Sequence, residues 1–136
     1  MILNKPILLI EDDLVDQMTV KRAFKELKVI NELQIANDGE EALEILRDDS
    51  KDIPGIILLD LNMPKMNGIE FLQEVKKDQT FKTIPVIVLT TSKHEKDKVE
   101  TFNLGVSGYM VKPVDYEQFL EIMKSIREYW SFSETV

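Results

Sequence analysis

Four consecutive apolar residues, Ile56-Ile57-Leu58-Leu59, run directly into one acidic residue, Asp60. A strand with no polar face belongs in the middle of a sheet that is covered on both sides. Asp60 then stands at the carboxyl end of a central strand. In an open α/β sheet that edge is where ligands bind. A turn-rich loop follows, with Pro64 and Gly68. Everything else in the chain can be read as equipment around this carboxylate.

Taken in order, Ile7–Ile10 is a first buried strand, followed at once by Glu11, Asp12 and Asp13. The stretch from Asp16 to Lys28 reads as a helix, with Val20, Phe24 and Leu27 on one face. Leu33–Ala36 is a short second strand. Asp38 could cap a helix from Glu40 to about Asp48 that buries Ala42, Leu43 and Leu46. The third strand is Ile56–Leu59, and Gly68–Lys77 is a helix with Ile69, Leu72 and Val75 inward. Pro85–Thr90 is the fourth strand. A polar helix runs from about Glu95 to Leu104, and Gly105 is its stop. Gly108–Val111 is the fifth strand, leading into Lys112-Pro113. The last helix spans about Asp115 to Trp130, with Tyr116, Phe119, Leu120, Met123 and Ile126 at helical spacing. Residues 131–136 are expected to be a short frayed tail. Alternating strands and helices predict an α/β fold with one parallel sheet.

The chain has 136 residues, and no linker, repeat or low-complexity segment interrupts it. This predicts one domain, with its core at about residues 5–130. Acidic residues number 25 against 17 basic ones, a net charge of −8. That balance argues against a general nucleic-acid-binding surface, which needs a basic patch. The absence of cysteine excludes disulfides and thiolate metal sites. No apolar run approaches membrane-spanning length, and no leader-like apolar segment opens the chain. The expected location is the cytoplasm, with no membrane partner.

Glu11, Asp12 and Asp13 leave the first strand, and Asp60 leaves the third. If those strands are neighbours, several carboxylates share one small cleft. Two unit charges about 5 Å apart at an effective dielectric of about 20 repel by roughly 3 kcal/mol. Such a site wants a cation or a protonated acid. With only oxygen donors at hand, a hard divalent ion is favoured, Mg²⁺ above others. Thr90 ends the fourth strand and Lys112 ends the fifth. A carboxylate can attack phosphorus, an ammonium and a divalent ion can neutralise phosphoryl oxygens, and a hydroxyl can hydrogen-bond one of them. Together these residues are equipment for an aspartyl phosphate.

Four stretches carry a resemblance: Leu9-Ile10-Glu11-Asp12-Asp13, Leu59–Pro64 with Gly68, Val88–Ser92, and Gly108–Pro113. In this order and spacing the chain resembles the receiver domain of two-component response regulators, in the chemotaxis-type single-domain form. The likeness covers about Lys5 to Tyr129. It implies a flavodoxin-like five-stranded parallel sheet of order 2-1-3-4-5, with five helices on both faces. It also implies roles. Asp60 would be the phosphoacceptor, Asp12 a direct Mg²⁺ ligand, Glu11 a ligand acting mainly through water, and the backbone carbonyl of Asn62 the last protein ligand. Thr90 and Lys112 would contact the phosphoryl group. Tyr109 would change rotamer with Thr90 on activation, and it could equally be an edge-strand aromatic packed on the fourth helix. The family carries a cis peptide at the position of Lys112-Pro113. Glu11 stands where aspartate is common, and Val114 where a bulkier residue is usual. Asn62 and Ser92 lie where the family tunes phosphate lifetime.

The resemblance further implies phosphoryl transfer from a sensor histidine kinase or phosphotransfer protein to Asp60. It implies a switch of the surface formed by the fourth helix, fifth strand and fifth helix, and no turnover of a substrate. Since no output domain follows in this sequence, a downstream protein, intermolecular phosphotransfer or a homodimer is the expected output. Tyr129, Trp130 and Phe132 could offer ring surface to a partner. Three alternatives stand beside this reading. One is a receiver-like scaffold independent of phosphorylation, against which the full set Glu11, Asp12, Asp60, Thr90 and Lys112 argues. Another is a phosphatase of the haloacid dehalogenase type, which usually has a second aspartate where Asn62 stands. A flavin carrier is disfavoured, because the acidic loop would repel the flavin phosphate. His94, the one histidine, sits in a polar loop and is given no role. Lys93–Lys98 reads as a solvated helix face.

Overall fold

A computed structural model describes residues 5–132, with side-chain surroundings given through Tyr129. Five parallel strands form one sheet in the order β2-β1-β3-β4-β5. They are β1 (Ile7–Ile10), β2 (Leu33–Ala36), β3 (Ile56–Leu59), β4 (Val86–Thr90) and β5 (Gly108–Val111). The helices are α1 (Leu14–Glu26), α2 (Gly39–Arg47), α3 (Gly68–Lys76), α4 (Glu95–Asn103) and α5 (Tyr116–Phe132).

The three central strands are buried at every position. Their alternating side chains feed two cores. Leu8, Ile10, Ile57, Leu59, Val86 and Val88 point to one face and meet Ala42, Leu43 and Leu46 of α2 and Phe71, Leu72 and Val75 of α3. Ile7, Leu9, Ile56, Leu58, Ile87 and Leu89 point to the other and meet Val20, Ala23 and Phe24 of α1 and Phe119, Met123 and Ile126 of α5. Continuous apolarity in these strands is thus two interleaved period-two patterns, one for each face.

Most predicted elements fall within a residue or two of the observed ones. α1 starts two residues early, at Leu14 rather than Asp16. The cause is Asp13, whose carboxylate accepts the amides of Val15 at 2.8 Å and Asp16 at 3.1 Å and so caps the helix. Leu14 and Val15 lie in that first turn but face outward, so hydrophobic periodicity gives no sign of it. A 3-10 turn at Phe81–Thr83, absent from the sequence reading, is nucleated by the Asp78 side chain, which accepts the amides of Thr80 and Phe81. Gly105 ends α4 at φ +84°, a left-handed conformation that suits glycine. The Lys112–Pro113 bond, whose conformation the sequence left open although the family carries a cis bond there, is trans, as are all peptide bonds among the described residues. The two isomers of an X–Pro bond differ by only about 0.5–1 kcal/mol, so sequence alone does not choose between them. α5 runs on to Phe132, through the first two residues of the expected tail, and residues 133–136 lie outside the described part.

Phe71 is fully buried between α3 and the sheet, in the core beneath the β3–α3 loop. Phe71→Ala should therefore cost about 3–5 kcal/mol of unfolding free energy. Urea denaturation measures this, and a loss under about 1 kcal/mol would contradict the packing described.

Candidate functional site

Register brings the acidic residues together. Ile10 pairs with Leu59 across β1 and β3, so Glu11 and Asp60 emerge side by side where these strands end. The Asp60 amide donates to the Ile10 carbonyl at 3.0 Å, and the Glu11 amide to the Ala36 carbonyl at 2.9 Å. Both residues are thereby held on the last rungs of the sheet. β1 lies between β2 and β3 and its connection leads away to β2, which makes this the switch point of the sheet.

Glu11, Asp12 and Asp60 can each present one carboxylate oxygen within 4.8 Å of the others. Glu11 is 2% exposed and Asp60 7%, while Asp12 faces solvent. The donors are all hard oxygens, two lie in a buried wall and one at an open rim, so the set suits an oxygen-seeking divalent cation. Asp13 is not part of it, because its side chain is spent on capping α1. Further bonds stiffen the cluster. Glu11 Oε2 accepts the Asp13 amide at 3.2 Å, and the buried Gln17 side chain donates to the Glu11 carbonyl at 2.6 Å and to Asn37 Oδ1 at 3.0 Å. Asp60 Oδ1 accepts the Asn62 amide at 3.3 Å, which turns the chain sharply after the strand. Gly68 permits the return. A Cβ there would stand 2.7 Å from the Asp60 carbonyl oxygen and 2.8 Å from Leu61 Cα.

Lys112 is the counter-charge. Its amide donates to the Thr90 carbonyl at 2.8 Å, which extends the β4–β5 pairing by one rung and aims the side chain back over the strand ends. The ammonium pairs with Glu11 Oε1, with Asp16 Oδ2 at 2.8 Å, and more distantly with Asp60 Oδ2 at 3.6 Å. Burial alone would lower the Lys112 pKa, but hydrogen bonds to Asp16 and Glu11 and the charge of Asp60 outweigh it and raise the pKa. Burial pushes the Glu11 carboxyl up to about 7, against the pull of Lys112 and with some help from the Asp60 charge. Asp16 is the residue that sequence reasoning missed. It stands at the predicted start of a helix, and nothing local reveals that α1 sets it against a lysine 96 positions later.

Thr90 is wholly buried at the end of β4, and its hydroxyl accepts the Ser92 amide at 3.3 Å. Tyr109 is half-buried against the α2–α3 core, and its hydroxyl donates to the Ser92 carbonyl at 2.9 Å. Ser92 also donates to Asp97 on α4 at 2.6 Å. The β4–α4 loop therefore ties Thr90, Tyr109 and α4 together through one serine. His94 occupies the N-cap position of α4 with no side-chain cap bond, and Lys93–Lys98 is largely exposed, as a solvated face should be.

A raised folded-state pKa for an acid means that the folded protein binds the extra proton more tightly than the unfolded chain. The stability tied to that proton is complete below about pH 4.5 and is lost as pH rises to about 7. In the metal-free wild type, Glu11 should thus remove about 3 kcal/mol of unfolding free energy between pH 4.5 and 7. Glu11→Gln should abolish that part of the decline. Urea denaturation in EDTA at both pH values measures it, and equal declines in the two proteins would refute the assignment.

The response regulator receiver domain family model matches residues 7–124. Response regulator Rcp1 of Synechocystis is 36% identical over 130 residues, covering 93% of this chain and 88% of that protein. The crystal structure of the phosphorylated cyanobacterial phytochrome response regulator RcpA superposes with a TM-score of 0.90 at 38% identity, over 97% of both chains. The Mn²⁺-bound form of Rcp1 superposes with a TM-score of 0.88 at 35% identity, over 97% of this chain and 98% of that one. The observed strand order is that of the flavodoxin-like receiver fold. The family match displaces the phosphatase reading of the haloacid dehalogenase type. On this evidence the chain belongs to the response regulator receiver domain family and is a component of two-component signalling.

Proposed function

We propose that this receiver domain is a phosphorylation switch whose acceptor is Asp60. The observation that carries the reading is the convergence, at adjacent strand ends, of Asp60, two further carboxylates and the buried Lys112 ammonium. A carboxylate oxygen of Asp60 attacks the phosphorus of a phosphohistidine. A P–O bond forms, the P–N bond breaks, and the imidazole leaves with the electron pair and takes up a proton. Lys112 stands 3.6 Å from Asp60 Oδ2, close enough to neutralise phosphoryl oxygens as charge spreads over them. Thr90 offers a hydroxyl at the neighbouring strand end.

Mg²⁺ fits the oxygen donor set, with Asp12, Asp60 and the Asn62 carbonyl as ligands and Glu11 acting through water, and when bound it supplies charge neutralisation at the transferring group. An indirect role for Glu11 agrees with its pairing to Lys112. The Mn²⁺-bound Rcp1 structure and the phosphorylated RcpA structure support the same reading by likeness. A scaffold with no phosphorylation would leave the concentrated negative charge of the cleft without a purpose.

The donor is a protein, a histidine kinase or a phosphotransfer protein. Leu14, Val15 and Met18 on α1 and Val114 after β5 are large apolar side chains, each at least 67% exposed. Two of them, Val15 and Val114, line a cleft of about 300 Å³ that includes Lys112 and Asp16. An apolar rim beside the acceptor suits a docking protein better than a free metabolite.

Output runs through Thr90 and Tyr109. Phosphorylation draws the Thr90 hydroxyl inward, loosens its bond to the Ser92 amide and lets Tyr109 and α4 resettle. The exposed Val99 and Phe102 of α4, Val111 of β5 and Tyr129 of α5 give that face apolar surface for a downstream protein or a second copy. The side chains of Trp130 and Phe132, also expected to contribute, lie outside those described. No described helix is long and apolar enough to cross a membrane. We place the protein in the cytoplasm, with neither nucleic acid nor membrane as its partner.

Incubation with acetyl phosphate and Mg²⁺ should add one phosphoryl group to the wild-type protein by intact mass. Asp60→Asn should gain none, and EDTA should abolish the gain in the wild type. Equal gain in Asp60→Asn would move the acceptor elsewhere. No gain in folded wild type, from acetyl phosphate or from a histidine kinase, would sink the switch.

A further inference from the structure

We propose that Asp16 is a positioning residue for phosphoryl transfer, holding the Lys112 ammonium away from Asp60 in the resting protein. The inference rests on the reading of Asp60 as acceptor and adds a control on that site.

A lysine ammonium has three N–H donors. Two are taken at hydrogen-bond range, by Glu11 and by Asp16 at 2.8 Å. Asp60 stands at 3.6 Å, beyond a good hydrogen bond. The carboxylate that will carry the phosphoryl group is therefore the one that the ammonium serves least. The two closer partners differ in freedom. The Glu11 side chain is 3% exposed, and its second oxygen and carbonyl are both engaged. The Asp16 side chain is 38% exposed and lies on a helix rather than on the sheet. It is the adjustable partner of the pair.

Its placement is built into the fold. Asp13 accepts the Asp16 amide, which pins the first turn of α1. Further along, Arg22 lies 3.8 Å over the Tyr116 ring, and Arg127 donates to the Leu27 carbonyl at 2.7 Å. These contacts lock α1 onto α5, so the Asp16 carboxylate meets Lys112 at a fixed height above the strand ends. When Asp60 gains a phosphoryl group, the ammonium has a second strongly anionic claimant. Asp16 competes for the same donors with the phosphoryl group of the bound phosphodonor, equally in the bound state and in the transition state.

Asp16→Asn keeps the shape and removes the competing charge. Its half-saturating acetyl phosphate concentration should fall about two- to fivefold, the range that a partly exposed ion pair is worth. The maximal rate should stay within about twofold, because the attacking group is untouched. Asp16→Glu keeps the charge and should behave as wild type. The readout is phosphorylation rate against donor concentration at saturating Mg²⁺, with thermal unfolding to show that each variant folds. An unchanged half-saturation in Asp16→Asn, or a change that Asp16→Glu shares, overturns the positioning role. A wild-type protein that takes up no phosphoryl group instead takes down the acceptor reading and this inference with it.

Discussion

One buried ammonium holds the carboxyl edge of this sheet together. Lys112 faces Glu11, Asp16 and Asp60, and Asp12 lies beside them at the rim. Without that ammonium the carboxylates would face one another with no counter-charge, in a place where water compensates them poorly. The site is therefore under electrostatic tension in its resting form, with more carboxylates than one ammonium can satisfy. Burial, with a smaller push from the Asp60 charge, raises the Glu11 pKa, and the same oxygen-rich cluster suits a divalent cation. A site with balanced charges would be more stable and less reactive.

The fold makes that concentration of charge possible by opposing it with packing. The three strands that lead to Glu11, Asp60 and Thr90 are buried at every position, and apolar at every position before Thr90 itself. The register of β1 on β3 fixes where their side chains emerge, and a slip of one residue would point Asp60 into a core. Helix caps then place the second tier. Asp13 is used to start α1, and through α1 it sets Asp16 against Lys112. Ser92 binds the loop beyond Thr90 to Tyr109 and Asp97, so a displacement at Thr90 has a short covalent and hydrogen-bonded route to α4. The acidic cluster and the Thr90–Ser92–Tyr109 bonds thus share one sheet edge.

Much of this was legible in the sequence because the signals were local. Runs such as Ile56–Leu59 could be placed in the sheet centre without knowing their neighbours, and an acid directly after such a run could be assigned to the functional edge. Resemblance to receiver domains supplied the strand order, which periodicity does not contain. What escaped depended on distance through space. Asp16 is separated from Lys112 by most of the chain, and the bond from Tyr109 ends on a backbone carbonyl that carries no residue signature. The start of α1 was missed because Leu14 and Val15 are apolar yet exposed, which inverts the pattern used to find helix faces. The trans form of Lys112–Pro113 escaped for an energetic reason, since the two isomers lie too close for sequence to decide.

The most direct test of an overcharged acidic site is a stability measurement on Asp60→Asn with and without Mg²⁺. Removing one buried negative charge should relieve repulsion and raise the metal-free unfolding free energy by about 1–2 kcal/mol. Mg²⁺ should then stabilise the wild type by mass action and Asp60→Asn far less. Both effects together are the result predicted. If Asp60→Asn is less stable than the wild type in EDTA and Mg²⁺ shifts the two equally, the site is not held under electrostatic tension and the account fails.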